Sequence, residues 1–337
     1  MKSVFCSHLK IFITYQCNLR CSHCVQSRVA SKFEPTHNPA LLEQLETFIS
    51  TVSRINPNIK IYLSGGEPLL SSDFFRAAHV LKRQGLAYKT ITNGLLLEAR
   101  YRQLLEAPPQ GIWVTFNGTA QRHDEIVGLK GGYNRLCESV QNSLPHLRRV
   151  GMPVGAVLTI NALTYNRLSQ DIERIGALGF DQVVVQHLSF LPDAVIEEHK
   201  RVYREKFGGE SSFCFGEGAD GNGIEAVALY QELLKIRQKE YPFQAVIFPP
   251  LFELEELVDY YSDAPQRWRQ RRCPRALHEI WVHPDGNVTV CFYHRIGHIG
   301  QSFERILASP ELMRWQQRFK ELSSPLPGCM RCHRLYM

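Results

Sequence analysis

The chain has 337 residues, 44% hydrophobic and 21% charged, and its 39 basic and 33 acidic side chains leave a formal net charge of +6. That length and balance suit one large globular domain, or one large and one small, and a core that needs no disulfides. They argue against a nucleic-acid-binding stripe, a membrane span (~18 apolar residues) and a secretory signal, so a cytoplasmic chain is expected.

The first half alternates strand-like and helix-like segments. Residues 11–15 read as a strand that runs straight into Cys17. Apolar residues recur at helical spacing over 40–54. A strand at 60–64 is stopped by Gly65-Gly66, and a helix over 72–84 is closed by Gly85. A strand at 88–92 is stopped by Asn93-Gly94. Then follow a helix near 96–106, a strand at 112–116, a helix near 134–149 and a strand at 154–160. A helix near 166–178 and a strand at 183–186 complete the series. Six such units predict parallel βαβ connections and a partial (β/α)6 barrel, with its site at the C-terminal ends of the strands. Beyond residue 190 the pattern weakens. Residues 208–223 are Gly-rich and read as a loop, and 224–239 read as helical. Asp285-Gly286 between two β-rich runs, 280–283 and 287–292, is a hairpin signal. The expected division is a barrel at 1–207, a loop and helical linker at 208–264, and a small hairpin-plus-helix domain at 265–337.

Ten cysteines in a chain of this class point to metal or redox chemistry before disulfides. Cys17, Cys21 and Cys24 stand at C-x3-C-x2-C spacing on a loop after a strand. Three thiolates can hold three irons of a [4Fe–4S] cube and leave the fourth iron open. A structural zinc site would want four close ligands, and no fourth cysteine lies nearby in sequence.

This spacing, followed by Gly65-Gly66-Glu67-Pro68 after the second strand, resembles the radical S-adenosylmethionine (SAM) superfamily over about residues 8–190. The resemblance implies that SAM chelates the open iron and is cleaved reductively to a 5′-deoxyadenosyl radical. It further implies that Gly65 and Gly66 let backbone approach the methionine moiety and that Glu67 offers a carboxylate to its ammonium group. His23 occupies the position where the family has an aromatic residue against adenine, and otherwise reads as a loop histidine. Thr115 resembles the hydroxyl that reaches the ribose or carboxylate. Asn93 and Asn117 are either SAM contacts or turn residues in left-handed conformations. His187 is either a cavity residue near adenine or the substrate, or a core histidine.

Cys273, Cys291, Cys329 and Cys332, the last two spaced C-x2-C, form a second group that resembles the twitch form of the SPASM extension. This implies one auxiliary [4Fe–4S] cluster; a zinc ribbon is the other reading of four thiolates. Cys6 and Cys137 read as inert core thiols. Cys214, in the Gly-rich loop, is a candidate hydrogen-atom donor to a substrate radical. The layout implies a radical SAM oxidoreductase or maturase served by an electron donor such as flavodoxin or ferredoxin. Expected substrates are a small molecule of sugar or aminocyclitol type or, as second reading, a ribosomally made peptide; a non-catalytic cluster carrier is the other class. Only 16 residues precede Cys17, so no leader-binding domain is expected before it.

Overall fold

The computed structural model describes residues 6–25, 39–211, 221, 223–291 and 294–337. Its backbone is one ten-stranded sheet in the order β10-β9-β8-β1-β2-β3-β4-β5-β6-β7. The strands are β1 (His8–Phe12), β2 (Lys60–Ser64), β3 (Tyr88–Thr92), β4 (Gly111–Phe116), β5 (Val154–Thr159), β6 (Gln182–Gln186) and β7 (Gln244–Phe248), all parallel. β8 (Glu279–Val282) pairs parallel with β1, and β9 (Asn287–Val290) and β10 (His294–His298) continue antiparallel. β7 and β10 are the two edges, so hydrogen bonds do not close the sheet into a barrel.

The helices cover the strands in the βαβ manner. They are α1 (Pro39–Ile55), α2 (Ser72–Arg83), α3 (Leu97–Glu106), α4 (Gln121–Val127), α5 (Gly132–Arg149), α6 (Leu168–Gly176) and α7 (Asp193–Phe207). Then come α8 (Ala226–Gln238), α9 (Leu254–Tyr261), α10 (Phe303–Leu307) and α11 (Pro310–Glu321). β5 is buried at every position (VGAVLT), as a strand covered on both faces must be. α2 shows how local chemistry sets a boundary: Ser71 accepts from Asp73 N at its start, and Leu, Ala and Phe side chains fill its inner face.

Three expectations need correction. The first strand lies three residues earlier than read, because its register is fixed by pairing: His8 opposes Lys60 on one flank and Glu279 on the other. A seventh strand, β7, follows the six expected and pairs with β6, while α8 packs on α6. The span expected as a linker therefore adds an edge strand to the sheet. The Asp-Gly hairpin is present, with Gly286 at φ +84° and Asp285 Oδ1 accepting from Asn287 N at 2.9 Å. It does not stand apart from the sheet: β8 extends it directly beside β1.

Candidate active site

The loop after β1 carries Cys17, Cys21 and Cys24 and is docked from three sides. Arg20 N donates to Val127 O and Ser22 N to Ile126 O, at the end of α4. Asn93, just past β3, donates from Nδ2 to Asn18 Oδ1 at 2.7 Å and faces Cys17 Sγ at 3.9 Å. Burial pushes the Cys17 thiol up, and pushes Cys21 up to about 12 with help from the neighbouring Cys24 and Cys17. Thiols held protonated this way become ligands when a metal displaces the proton.

Gly65 and Gly66 leave room for the protein's own backbone. A Cβ on Gly65 would meet Thr14 O at 2.6 Å, and one on Gly66 would meet Tyr15 O at 2.6 Å and Gln16 O closer still. Gly66 N donates to Thr14 O and Glu67 N to Gln16 O, both at 2.8 Å, so β2's end is stitched to the cysteine loop. Glu67 is fully buried. Its Oε1 accepts from Thr92 Oγ1 at 2.7 Å and Leu69 N at 2.9 Å, and its Oε2 from Asn93 N at 2.7 Å. The carboxylate thus ties the ends of β2 and β3 together, and it does not line the cavity in front of them. Burial raises its pKa against those three donors. Pro68 opens the short turn that follows.

That cavity, about 310 Å³, is lined by all three cysteines, Gly65, Gly66, His23, Asn93, Thr115 and Asn117. Of the twelve residues read for SAM or its cluster, nine therefore line this cavity, Glu67 and Pro68 follow directly on Gly66, and His187 is set apart. Asn117 is buried and its Oδ1 has no hydrogen-bond partner. An orphaned buried acceptor in the cavity wall fits a bound ligand that donates to it. His23 is held neutral by burial, its pKa pushed down to about 4. Neither Asn93 nor Asn117 has a left-handed backbone, and Asn93 Oδ1 accepts from Leu95 N at 3.1 Å in an Asx turn. His187 does not line this cavity: it is fully buried, with Nδ1 2.8 Å from Tyr261 Oη, its carbonyl 2.5 Å from His333 Nε2, its own Nε2 without a partner among the described residues, and its pKa lowered by burial to about 3.

The second group converges as well. Cys273, Cys291, Cys329 and Cys332 line one enclosed cavity of about 40 Å³ with Trp281 and Arg334. Burial pushes Cys273 up to about 11 and Cys291 well above its ordinary value, and the other thiols of the group add to the latter. Cys291 sits at φ +51°, a conformation non-glycine residues rarely adopt, at the end of β9. Four soft thiol donors and no carboxylate around one space suit an iron–sulfur cluster. Cys6 is buried with its Sγ directed at His8 O, as a structural thiol, and Cys137 is half-buried in α5. Cys214 lies outside the described residues.

Sequence reasoning missed Lys10, Phe12 and His333, which line the first cavity. A lysine between Leu9 and Ile11, just ahead of the strand as read, was the available signal for the first. For His333 it was adjacency to Cys332.

Comparison with known proteins agrees with this geometry. The family model described as the radical SAM superfamily matches residues 11–175, and that of the SPASM iron–sulfur cluster-binding domain matches 273–333. An AdoMet-dependent heme synthase of Methanosarcina barkeri is 30% identical over 181 residues, 53% of this chain and 49% of that one. A GTP 3′,8-cyclase of Aquifex aeolicus is 31% identical over 109 residues, 32% of this chain and 34% of that one. The chain therefore spans about half the length, or less, of these curated relatives. In fold it is similar to Streptococcus suis SuiB bound to S-adenosylmethionine, with TM-score 0.64, 13% identity, and coverage of 98% of this chain and 68% of that one. It is also similar to anSMEcpe with bound AdoMet, with TM-score 0.63, 14% identity, and coverage of 97% and 88%. No helix among the described residues is long and apolar enough to cross a membrane. With the two cysteine groups each gathered around a cavity and both family models matching where those groups lie, the chain belongs to the radical SAM superfamily and carries a C-terminal SPASM iron–sulfur domain.

Proposed function

We propose that the protein is a radical SAM oxidoreductase that removes hydrogen from a small organic substrate and passes the second electron to its auxiliary cluster. The observation that supports this most is the span of residues 329–333. Cys332 lines the auxiliary cavity and His333, its immediate neighbour, lines the radical cavity. Consecutive residues of the chain, whose Cα atoms are about 3.8 Å apart, therefore line the two cavities. When bound, the radical cluster and SAM supply a 5′-deoxyadenosyl radical that abstracts the substrate hydrogen.

The residues named above would divide the work. Cys17, Cys21 and Cys24 would hold the radical cluster, and Asn93 would fix the loop that carries them. Thr115, the orphaned Asn117 Oδ1 and His23 would receive SAM, with Gly65 and Gly66 forming the wall behind its methionine end. Glu67 would act by holding that wall. Cys273, Cys291, Cys329 and Cys332 would hold the auxiliary cluster. A small substrate is supported by the curated relatives, whose names refer to heme and GTP chemistry; sugars and aminocyclitols remain the class implied by the layout. A peptide substrate is the second reading, because the solved structures covering most of the chain include SuiB bound to the precursor peptide SuiA.

The test is iron and sulfide analysis with EPR on protein reconstituted without oxygen, and chromatography for 5′-deoxyadenosine. About eight irons, a reduced-cluster signal that changes on SAM addition, and 5′-deoxyadenosine release are expected. Changing Cys17, Cys21 or Cys24 to Ala should remove about four irons and abolish that release. Release that survives any of the three substitutions refutes the assignment.

A further inference from the structure

Lys10 is the middle residue of β1, opposite Tyr62 on one side and Trp281 on the other. Its side chain lines the radical cavity, and no other lysine, arginine, aspartate or glutamate side chain does so among the described residues. The ammonium is held by aromatic faces: Nζ lies 4.9 Å from the Phe12 ring centre and 5.1 Å from that of Trp281. Among the described residues it makes no ion pair and no hydrogen bond, although an ammonium has three N–H donors to place. Glu279, the carboxylate that attracts it, is already taken: its Oε1 accepts from Arg334 at 2.6–2.7 Å and from Trp281 Nε1 at 2.6 Å. Arg334 itself stacks on Trp281 at 4.6 Å and repels Lys10.

A partly buried cation with unused donors is costly until an acceptor arrives. Among the described residues no hydrogen-bond acceptor meets it, and its open side is the cavity. The position also separates Lys10 from the cluster end. Cys17, Gly65 and Gly66 lie beyond the strand ends, whereas Lys10 is two residues inside β1, about 7 Å deeper at the strand rise. We propose that Lys10 anchors an anionic oxygen group of the substrate, a carboxylate or a phosphate, and so restricts the enzyme to anionic small molecules. This rests on the oxidoreductase reading above, which places a small substrate in this cavity beside SAM.

Calorimetric titration of the SAM-loaded holoenzyme with acetate and, separately, inorganic phosphate tests it, on wild type, Lys10→Arg and Lys10→Met. Wild type should bind one of the two anions, and which one binds distinguishes the carboxylate from the phosphate. Lys10→Met should weaken that binding by about tenfold or more, as loss of a charge-assisted hydrogen bond implies, and Lys10→Arg should retain most of it. Equal binding by wild type and Lys10→Met, or no binding of either anion by wild type, overturns the proposal. So does a drop in SAM affinity in Lys10→Met that matches the anion effect, since Lys10 would then serve SAM's own carboxylate. 5′-Deoxyadenosine release by the same wild-type sample is recorded independently, so a failure of the radical reading shows there and not in the anion titration.

Discussion

Gly66 illustrates how one residue type answers to two demands. Its motif is readable in sequence, and the family resemblance attaches it to SAM. The structure adds a reason internal to the chain: the carbonyls of Tyr15 and Gln16 occupy the space a Cβ would need. Gly66→Ala should therefore displace the cysteine loop from β2, costing about 1–3 kcal/mol as overpacking does. Denaturant unfolding of the metal-free protein measures that cost directly; an unchanged midpoint would show that the loop yields freely. Glu67 follows the same logic, since its three donors come from the chain itself. Such roles were not legible beforehand, because a motif reports residue identity and spacing but not which backbone lies against it. His187 was ambiguous for a related reason: a histidine at a strand end reads the same in sequence whether it faces the cavity or, as here, Tyr261 and the core.

Elements were most legible where packing is symmetric. β2 to β6 are short runs with strand-forming residues, closed by Gly, Asn or polar residues, and the bounds of β2 and β3 coincide with those read. α7 escaped because its buried face is Ile196, His199, Tyr203 and Phe207, and a count of apolar residues discounts His199 in the middle of it. β7 escaped because only one of its five residues is fully buried, as suits a sheet edge. The C-x2-C element near the C-terminus carries its own prediction. Cys329→Ser with Cys332→Ser should remove about four irons while the remaining reduced-cluster EPR signal still responds to SAM. Full iron retention in that variant would mean that these two thiols hold no cluster. The two cavities are distinct in their lining, which is why the losses should separate.

At the scale of the molecule, the interior holds several uncharged imidazoles. His123, His187, His199 and His283 are all buried, and burial lowers them from their ordinary 6.5 to about 4, 3, 4 and 4. Above pH ~6.5 these groups are neutral both folded and unfolded and leave stability unchanged. Below it the unfolded chain takes up protons that the folded chain refuses, so stability falls as pH drops toward 4, by about 1.4 kcal/mol per pH unit for each group at most. Thermal unfolding of the metal-free protein should show a flat midpoint from pH 8 to 7 and a steep decline from 6 to 5. A midpoint independent of pH over that lower range would mean these imidazoles become protonated without unfolding the chain. The order of the sheet has a consequence for synthesis on the ribosome. β1 pairs with β2 some fifty residues later, but its other flank is covered only by β8, about 270 residues downstream. For most of translation the strand that leads into Cys17 exposes an unpaired edge, a surface on which nascent chains join one another. Emergence of residues 279–282 seals that edge, the strand before Cys291 then pairs beside them, and His333, further along, completes the wall of the first cavity.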